Sequence, residues 1–234
     1  MSYPPVGYAR YPEPQQYYRI NLAALSWGEL RRAGGGGCLL LTGAPLVAFC
    51  KLFHLSLAGG ERFPREVSFQ QPDRASYDQS YQAVAYLLEP LQALGFEHFT
   101  TFTVPEMPYR SMVFALMNRA EDAYAAAYHV ISPMGHKTAV DLVTVFRDGS
   151  GLKTTNAKEG VAMEAPAHHR RLLVAGGAPA ELWDAHRAEV ARLAPAAGGV
   201  SGPVGHEHFI HSWRRSIRES ADFYATRGVY VPAA

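Results

Sequence analysis

The sequence predicts an α+β fold: an antiparallel β-meander of about five strands, covered on one face by helices and preceded by a hydrophobic N-terminal segment. Three observations predict this fold. Apolar residues recur at three- and four-residue steps over residues 77–94 and again near the C-terminus, which is the period of an α-helix. Residues 99–156 alternate apolar and polar side chains between turn signals, which is typical of strands. Residues 38–57 form one long apolar run.

The chain has 234 residues, of which 48% are hydrophobic and 18% charged. A chain of this size folds as one domain, or as one domain with an appendage, and buries enough surface to be stable without disulfides or metals. Its formal net charge of +1 provides no long-range attraction for nucleic acid, so we predict no nucleic-acid partner. The two cysteines, Cys38 and Cys50, lie among apolar residues and are interpreted as small buried side chains.

The first segment, residues 1–33, is predicted to be a Pro- and Tyr-rich tail that includes a short helix. It begins MSYPPVGYARYPEPQQYYRI and lacks the apolar centre of a signal peptide. Its prolines favour an extended, polyproline-like chain.

Residues 34–58 form the hydrophobic segment and are a candidate membrane anchor. A helix over residues 38–57 would rise about 30 Å, the thickness of the hydrocarbon core of a bilayer. Lys51 and Pro45 oppose a span, because a charge is costly in a bilayer and a proline weakens a helix interior. The sequence leaves both alternatives open, a span and a segment buried in a core. We interpret the chain as membrane-associated or cytoplasmic, with the apolar run favouring membrane association through residues 38–57.

A polar linker over residues 59–75 precedes the first long helix. Ser76 or Asp78 is the predicted N-terminal cap, and Gly95 is the predicted C-terminal cap. Pro90 is expected to kink or break the helix near its end. One apolar stripe predicts the buried face of this helix: Tyr77, Tyr81, Val84, Leu88, Leu91 and Leu94.

The middle of the chain is predicted to form the meander. The clearest hairpin runs from Thr138 to Asn156, with Asp148 and Gly149 as its turn signal. Because short turns join the successive strands, we expect them to pair antiparallel. Residues 171–174 would add a short edge strand. The five strands of the meander are predicted at residues 99–104, 111–117, 124–131, 138–146 and 152–156.

Two further helices follow the meander. Pro179 occupies the first position of one, where its missing N–H is harmless. The last helix is predicted from about His208 to Thr226, and Gly228 ends it. Together with the first long helix, these would cover one face of the sheet. The resulting division is a tail with a short helix (1–33), the hydrophobic segment (34–58), a linker (59–75), an α+β domain (76–228) and a C-terminal tail (229–234).

Three histidines cluster in the motif GHEHFIH, at positions His206, His208 and His211. Histidines three residues apart at the start of a helix can share a metal ion, but His206 would join them only if the chain curled back. The favoured interpretation is a polar, partly exposed start of the last helix. We therefore predict no metal site and no cofactor.

A polar pocket is a second candidate site. Asp141 and His129 lie on neighbouring predicted strands and would face each other there, with Lys153 or Thr155 joining them on the open face of the sheet. The alternative is a half-buried sheet whose polar side is in water.

Basic residues occur in two further places. The run His168-His169-Arg170-Arg171 would suit an anionic ligand or a lipid headgroup, but such runs more often begin a solvated strand. Arginines of the last helix are expected to form a solvated face or to pair with nearby carboxylates; these are Arg214, Arg215 and Arg218, with Glu219 and Asp222.

No motif in the sequence fixes a reaction, because there is no nucleophile elbow, phosphate loop or dinucleotide fingerprint. We therefore assign no catalytic and no cofactor-binding residue. The expected function is a non-catalytic ligand-binding or protein-interaction domain, held at a membrane by residues 38–57. Its partner would be a small ligand or a protein. A homodimer would form through the edge of the sheet or through the last helix, which contains Trp213. The alternative is a metal-assisted or histidine-dependent hydrolase, so the sequence leaves open whether the chain is an enzyme.

Overall fold

A computed structural model describes residues 16–33, 48–52, 61–133, 135–158, 162–202 and 205–233 of the chain. Residues Leu22–Ala24 form a 3-10 turn, and residues 48–52 are helical. The other helices are α1 (Trp27–Ala33), α2 (Arg74–Ala93), α3 (Pro179–Leu193) and α4 (His206–Thr226). The strands are β1 (Tyr17–Ile20), β2 (Phe63–Pro64), β3 (Glu97–Thr103), β4 (Arg110–Asn118), β5 (Ala123–Ser132), β6 (Gly135–Val145), β7 (Gly151–Thr155), β8 (His169–Leu173) and β9 (Tyr230–Pro232).

The main sheet has six strands in the order β3-β4-β5-β6-β7-β8. Strands β3 to β7 pair antiparallel with their sequence neighbours, which confirms the α+β fold class and the five-stranded meander. Gly149 has φ +82°, as the turn between β6 and β7 requires of a glycine. The sixth strand, β8, is the predicted edge strand, but it runs parallel to β7.

Helices α2 and α3 cover one face of the main sheet. The side chains that meet there alternate along the strands with those of the other face, as the pleat dictates. Val84, Leu88 and Leu91 of α2 are buried against the sheet. Strand β4 contributes Met112, Phe114 and Leu116 to this core, and α3 contributes Leu182 and Trp183.

Helix α4 lies against the opposite face of the main sheet, whereas we expected all the helices on one face. Phe209 is buried there, and Trp213 and Ile217 are partly buried on the same side of α4. Strand β4 presents its alternate residues to this second core, namely Val113, Ala115 and Met117. A strand that is apolar on both sides is typical of a sheet covered on both faces.

The ends of α2 differ in detail from the prediction. Asp73 is its N-terminal cap, rather than Ser76 or Asp78, because the Asp73 carboxylate accepts a hydrogen bond from the Ser76 amide at 2.8 Å. The helix continues for three residues beyond Pro90 and ends at Ala93. Gly95 has φ +86°, in the place where the C-terminal cap was predicted.

A second, three-stranded sheet has the order β2-β1-β9 and pairs β1, at the start of the described residues, with β9 near their end. We did not predict this sheet from the sequence, because its strands are only two to four residues long. Residues 229–234 were predicted to be a tail, yet Tyr230 of β9 stacks on Tyr18 of β1 with ring centroids 5.4 Å apart. Residues 59–75 were predicted to be a linker, yet Phe69 is buried against α4.

Helix α1 is held to the end of α4 by a buried ion pair. Glu29 is fully buried and accepts hydrogen bonds from Arg227 Nη1 and Nη2 at 2.9 and 2.8 Å. The Ser26 and Glu164 amides donate to the same carboxylate, each at 2.8 Å. Burial raises the pKa of Glu29, but these hydrogen bonds outweigh it and lower the pKa to about 2.

Most of the hydrophobic segment, residues 34–47 and 53–58, lies outside the described residues. Of the five residues that are described, Lys51 contacts the start of α1 and the residues before it: its Nζ donates a hydrogen bond to the Leu25 carbonyl and lies 5.6 Å from the centre of the Trp27 ring. Cys50 is buried, whereas Phe49 and Leu52 are exposed. No helix in the described part of the chain has the length and apolar character needed to cross a bilayer.

Candidate functional site

A cavity of about 360 Å³ lies between the main sheet and α4. Its apolar walls include Val143 and Val145 of β6 and Trp213 and Ile217 of α4. Helix α4 also presents a row of small side chains to the cavity, spaced four residues apart and therefore on one face of the helix. These are Ser212, Ser216 and Ser220. Because serine side chains are small, they leave space between α4 and the sheet.

The register of the sheet determines which polar side chains line this cavity. Strand β6 alternates, so that Asp141, Val143 and Val145 face α4 while Val140 and Leu142 face α2 and α3. This division follows from the two-residue repeat of side chains along a strand.

One ion pair occupies the polar wall. Lys153 Nζ lies 3.2 Å from Asp141 Oδ2, and the two side chains are 32% and 12% exposed. The Tyr128 hydroxyl lies near the Asp141 carboxylate, and the Tyr128 ring packs edge-on against Trp213 with centroids 6.1 Å apart. Burial first, and then the Asp141 charge, raises the pKa of Tyr128 well above its usual range. The Asp141 carboxylate thus lies beside the Lys153 ammonium and the Tyr128 phenol. The phenol of Tyr128 remains protonated.

The mouth of the cavity carries a second polar cluster, which joins β8 to α4. Glu219 Oε2 lies 2.9 Å from the Nε2 atoms of both His168 and His169, and Glu219 Oε1 accepts a hydrogen bond from Arg215 Nε at 2.7 Å. Burial raises the pKa of Glu219, but hydrogen bonds from Arg215 and His168 outweigh it and lower the pKa to about 2. Burial, together with the neighbouring His168, lowers the pKa of His169. A carboxylate anion and a neutral imidazole therefore meet there at neutral pH.

The expected meeting of Asp141 with His129 is wrong, although Lys153 joins Asp141 as predicted. His129 pairs with Thr138 in the sheet and lies on the α2 side of it. There its Nδ1 is 2.9 Å from Ser80 Oγ and its Nε2 is 3.0 Å from His136 Nδ1. Ser80 is 3% exposed, so this serine and histidine are a buried hydrogen-bonded pair rather than an accessible nucleophile and base.

The three histidines at the start of α4 do not gather around one point. His208 Nδ1 lies 2.8 Å from the Tyr124 hydroxyl, and His206 packs edge-on against Phe99 with centroids 5.5 Å apart. His211 is exposed. In the part of the chain that the structure describes, the group of three metal-ligating residues whose ligand atoms come together is His168, His169 and Glu219.

Arg215 and Arg218 of α4 both form ion pairs, but only Arg215 does so with a predicted partner. Arg215 pairs with Glu219, whereas Arg218 Nε reaches back to Glu66 Oε1 at 2.6 Å. Asp222 instead accepts from Arg65 at 2.9 Å. These pairs tie α4 to the segment that follows β2.

Sequence reasoning predicted a polar pocket at Asp141 and Lys153, but it missed that α4 covers this pocket, that Tyr128 lies beside Asp141, and that Glu219 is a partner of the two histidines. One signal was present in the sequence, because serines at positions 212, 216 and 220 form a row of small polar side chains directly beside the apolar stripe of the last helix. His168 and Glu219 are 51 residues apart in the sequence. Only the packing of β8 beside α4 brings the two histidines and Glu219 together.

The chain matches no protein-family model, no curated protein and no solved structure.

Proposed function

We propose that this chain is a non-catalytic binding protein whose cavity between the main sheet and α4 takes a small amphipathic ligand with an anionic group. The observation that carries this proposal is the combination of an apolar cavity of about 360 Å³ with one ion pair, Asp141 and Lys153, on its wall. Small-molecule sites are typically cavities of roughly 300–1,000 Å³ with apolar walls and a few placed polar groups.

The size of the cavity limits the ligand. A dry cavity of roughly 150 Å³ holds one benzene molecule, so the present volume suits a ligand of roughly ten to fifteen non-hydrogen atoms. The apolar walls favour an aliphatic or aromatic body, since burying each CH₂ group contributes about 0.8 kcal/mol.

The charge of the lining favours an anionic headgroup. Cationic side chains outnumber carboxylates around the cavity, and both carboxylates already have cationic partners. Lys153 has further hydrogen-bonding capacity, because an ammonium has three donors. The cationic lining residues are Lys153, Arg170, Arg171 and Arg215, and the carboxylates are Asp141 and Glu219.

The alternative, a metal-assisted or histidine-dependent hydrolase, has less support. The histidines predicted for it do not reach Asp141, because His129 lies on the other side of the sheet and His208 is bonded to Tyr124. Asp141 is a poor general base in this arrangement, because Lys153 and Tyr128 hold its carboxylate.

The proposal is tested by titrating the full-length protein with decanoate and with decyltrimethylammonium, below the concentrations at which they form micelles, by calorimetry. Decanoate has about twelve non-hydrogen atoms, so we expect a Kd on the order of 10–100 µM. The cationic amphiphile should bind at least tenfold more weakly.

Two leucine substitutions provide a matched pair of variants for this titration. Ser216→Leu places a larger side chain in the cavity and should weaken decanoate binding at least tenfold. Ala188→Leu adds a leucine to an exposed position of α3 and should bind like the wild type. The absence of saturable binding to the wild type, or equal binding by the two folded variants, would overturn the proposal.

A further inference from the structure

We propose that His168, His169 and Glu219 form a binding site for a divalent transition metal ion, with Zn²⁺ as the preferred ion, at the mouth of the cavity. The proposal differs from the sequence-based expectation of no metal site and involves none of the three histidines in GHEHFIH. It does not depend on whether the cavity binds an amphipathic ligand.

Local structure explains why two consecutive histidines reach the same carboxylate. Consecutive residues inside a strand point to opposite faces, but His168 is in the turn that precedes β8 and His169 is the first residue of the strand. Their rings are therefore neighbours, with centroids 4.3 Å apart. Glu219 reaches them from α4, which crosses this end of the sheet.

The distances suit a metal site. Zinc binds imidazole nitrogen and carboxylate oxygen at about 2.0–2.2 Å in a tetrahedron, so its ligand atoms lie about 3.3 Å from one another. His168 Nε2 and His169 Nε2 each lie 2.9 Å from Glu219 Oε2, and all three ligand atoms are within 4.8 Å of one another. An ion would replace the hydrogen bonds with movements of about 1 Å or less.

The carboxylate is oriented from the side opposite the histidines. Arg215 donates to Glu219 Oε1 at 2.7 Å from one helical turn earlier on α4, which leaves Oε2 directed at the histidines. Such outer hydrogen bonds to ligating carboxylates are typical of metal sites and fix the ligand geometry. Arg215 and Arg171 also add positive charge nearby, so we expect micromolar rather than nanomolar affinity for the ion.

The site would have an open coordination position. His169 and Glu219 both line the cavity, so a fourth ligand would approach from the cavity side. Three protein ligands and one open position are the arrangement in which zinc binds water or an anionic group of a small molecule. Two histidines and a glutamate favour zinc over calcium or magnesium, which prefer oxygen ligands.

The test is a calorimetric titration of the full-length, tag-free, metal-stripped protein with ZnCl₂ at pH 7.5. We expect one ion per chain with a Kd on the order of 1–10 µM. His169→Ala and Glu219→Gln should each weaken binding at least 30-fold, whereas His211→Ala, which removes an exposed histidine of α4, should leave the Kd unchanged within twofold.

Absorption spectra of the protein loaded with Co²⁺ provide a second measurement, since tetrahedral cobalt gives intense visible bands that depend on its ligands. His168→Ala should change these bands, and its thermal unfolding curve checks that the variant is folded. The proposal is overturned if the wild type gives no binding heat with ZnCl₂. It is equally overturned if His211→Ala abolishes binding, or if the folded variants at His169 and Glu219 bind like the wild type.

Discussion

Lys153 Nζ lies 3.2 Å from Asp141 Oδ2 on the wall of the cavity, where neither side chain is more than a third exposed. Asp141 pairs directly with Thr155, so Lys153 is its diagonal neighbour on the same face of the sheet. A carboxylate that is largely removed from water is stable only when such partners satisfy it. The ion pair therefore keeps a charged group in an otherwise apolar wall.

Removal of one partner of this pair should cost more than removal of both. Lys153→Met keeps the aliphatic stem but leaves Asp141 with Tyr128 alone, so we expect the free energy of unfolding to fall by about 1–3 kcal/mol. Asp141→Asn combined with Lys153→Met should recover at least half of that loss. Urea unfolding of the two single variants and the double variant measures the coupling. Strictly additive effects would contradict the structural role of the pair.

The buried Glu29–Arg227 pair gives a second prediction. Glu29→Gln removes the buried charge partner of the Arg227 guanidinium and leaves it only the half-exposed Glu164 at 3.4 Å, so it should lower the free energy of unfolding by about 3–5 kcal/mol. Hydrogen exchange should also become faster in α1, because this pair joins α1 to α4. The matched control is Glu189→Gln, which breaks an ion pair with Arg192 on the surface of α3 and should cost under about 1 kcal/mol. Equal losses of unfolding free energy in the two variants would be evidence against a stabilising role of the buried Glu29–Arg227 pair.

Buried His186 predicts a loss of stability in mild acid. Its ring nitrogens lie 2.9 Å from Thr144 Oγ1 and 2.8 Å from Thr154 Oγ1, and burial lowers its pKa to about 4. The unfolded chain binds this proton from about pH 6.5 downward, while the folded chain does so only near pH 4. The unfolded state therefore has more bound protons in this window, and stability falls as the pH falls.

The contribution of His186 can be separated from that of other histidines by substitution. Burial also lowers the pKa of four others, which act in the same direction: His98, His129, His169 and His206. His186→Gln should reduce the slope of unfolding free energy against pH by up to about 1.4 kcal/mol per pH unit between pH 6.5 and 4. Urea unfolding at half-unit pH intervals measures both slopes, and identical slopes would show that His186 titrates normally.

The apolar run over residues 38–57 predicts membrane association of the full-length chain in cells. Val47→Lys places a charge near the middle of this run, where it costs about 2.5–3.5 kcal/mol in a bilayer, and should release the chain into the carbonate wash. Ala188→Lys, on the exposed face of α3, should leave the chain in the pellet. If the wild type washes off as freely as the Val47 variant, the run is not an anchor.

Local patterns predicted the elements of the main sheet because each depends on neighbouring residues. Alternation along β6 and the Asp148-Gly149 turn were sufficient for the β6–β7 hairpin, and hence for placing Lys153 near Asp141. The partner of Asp141 on β5 could not be predicted in this way. A shift of one residue in register exchanges the two faces of a strand, and the observed pairing of Ala126 with Asp141 puts His129 on the far side.

Local patterns also could not predict which face of the main sheet α4 packs against, although the sequence of β4 contained a relevant signal. Its sequence SMVFALM is apolar at consecutive positions, and residues 112–117 are all buried, which is typical of a strand covered on both faces. The amphipathic stripe of α4 shows that the helix packs on something but not on which face. The cluster of His168, His169 and Glu219 depends on that choice of face, so no local pattern could predict it.

The most direct test of the central claim is an NMR measurement of where decanoate binds. Isotope-edited NOE spectra of the full-length protein with decanoate should show contacts from the ligand chain to the Trp213 indole and to the methyl groups of Val143 and Ile217, which line the cavity. Contacts confined to residues 38–57, or no contacts at saturating decanoate, would contradict a ligand site between the main sheet and α4.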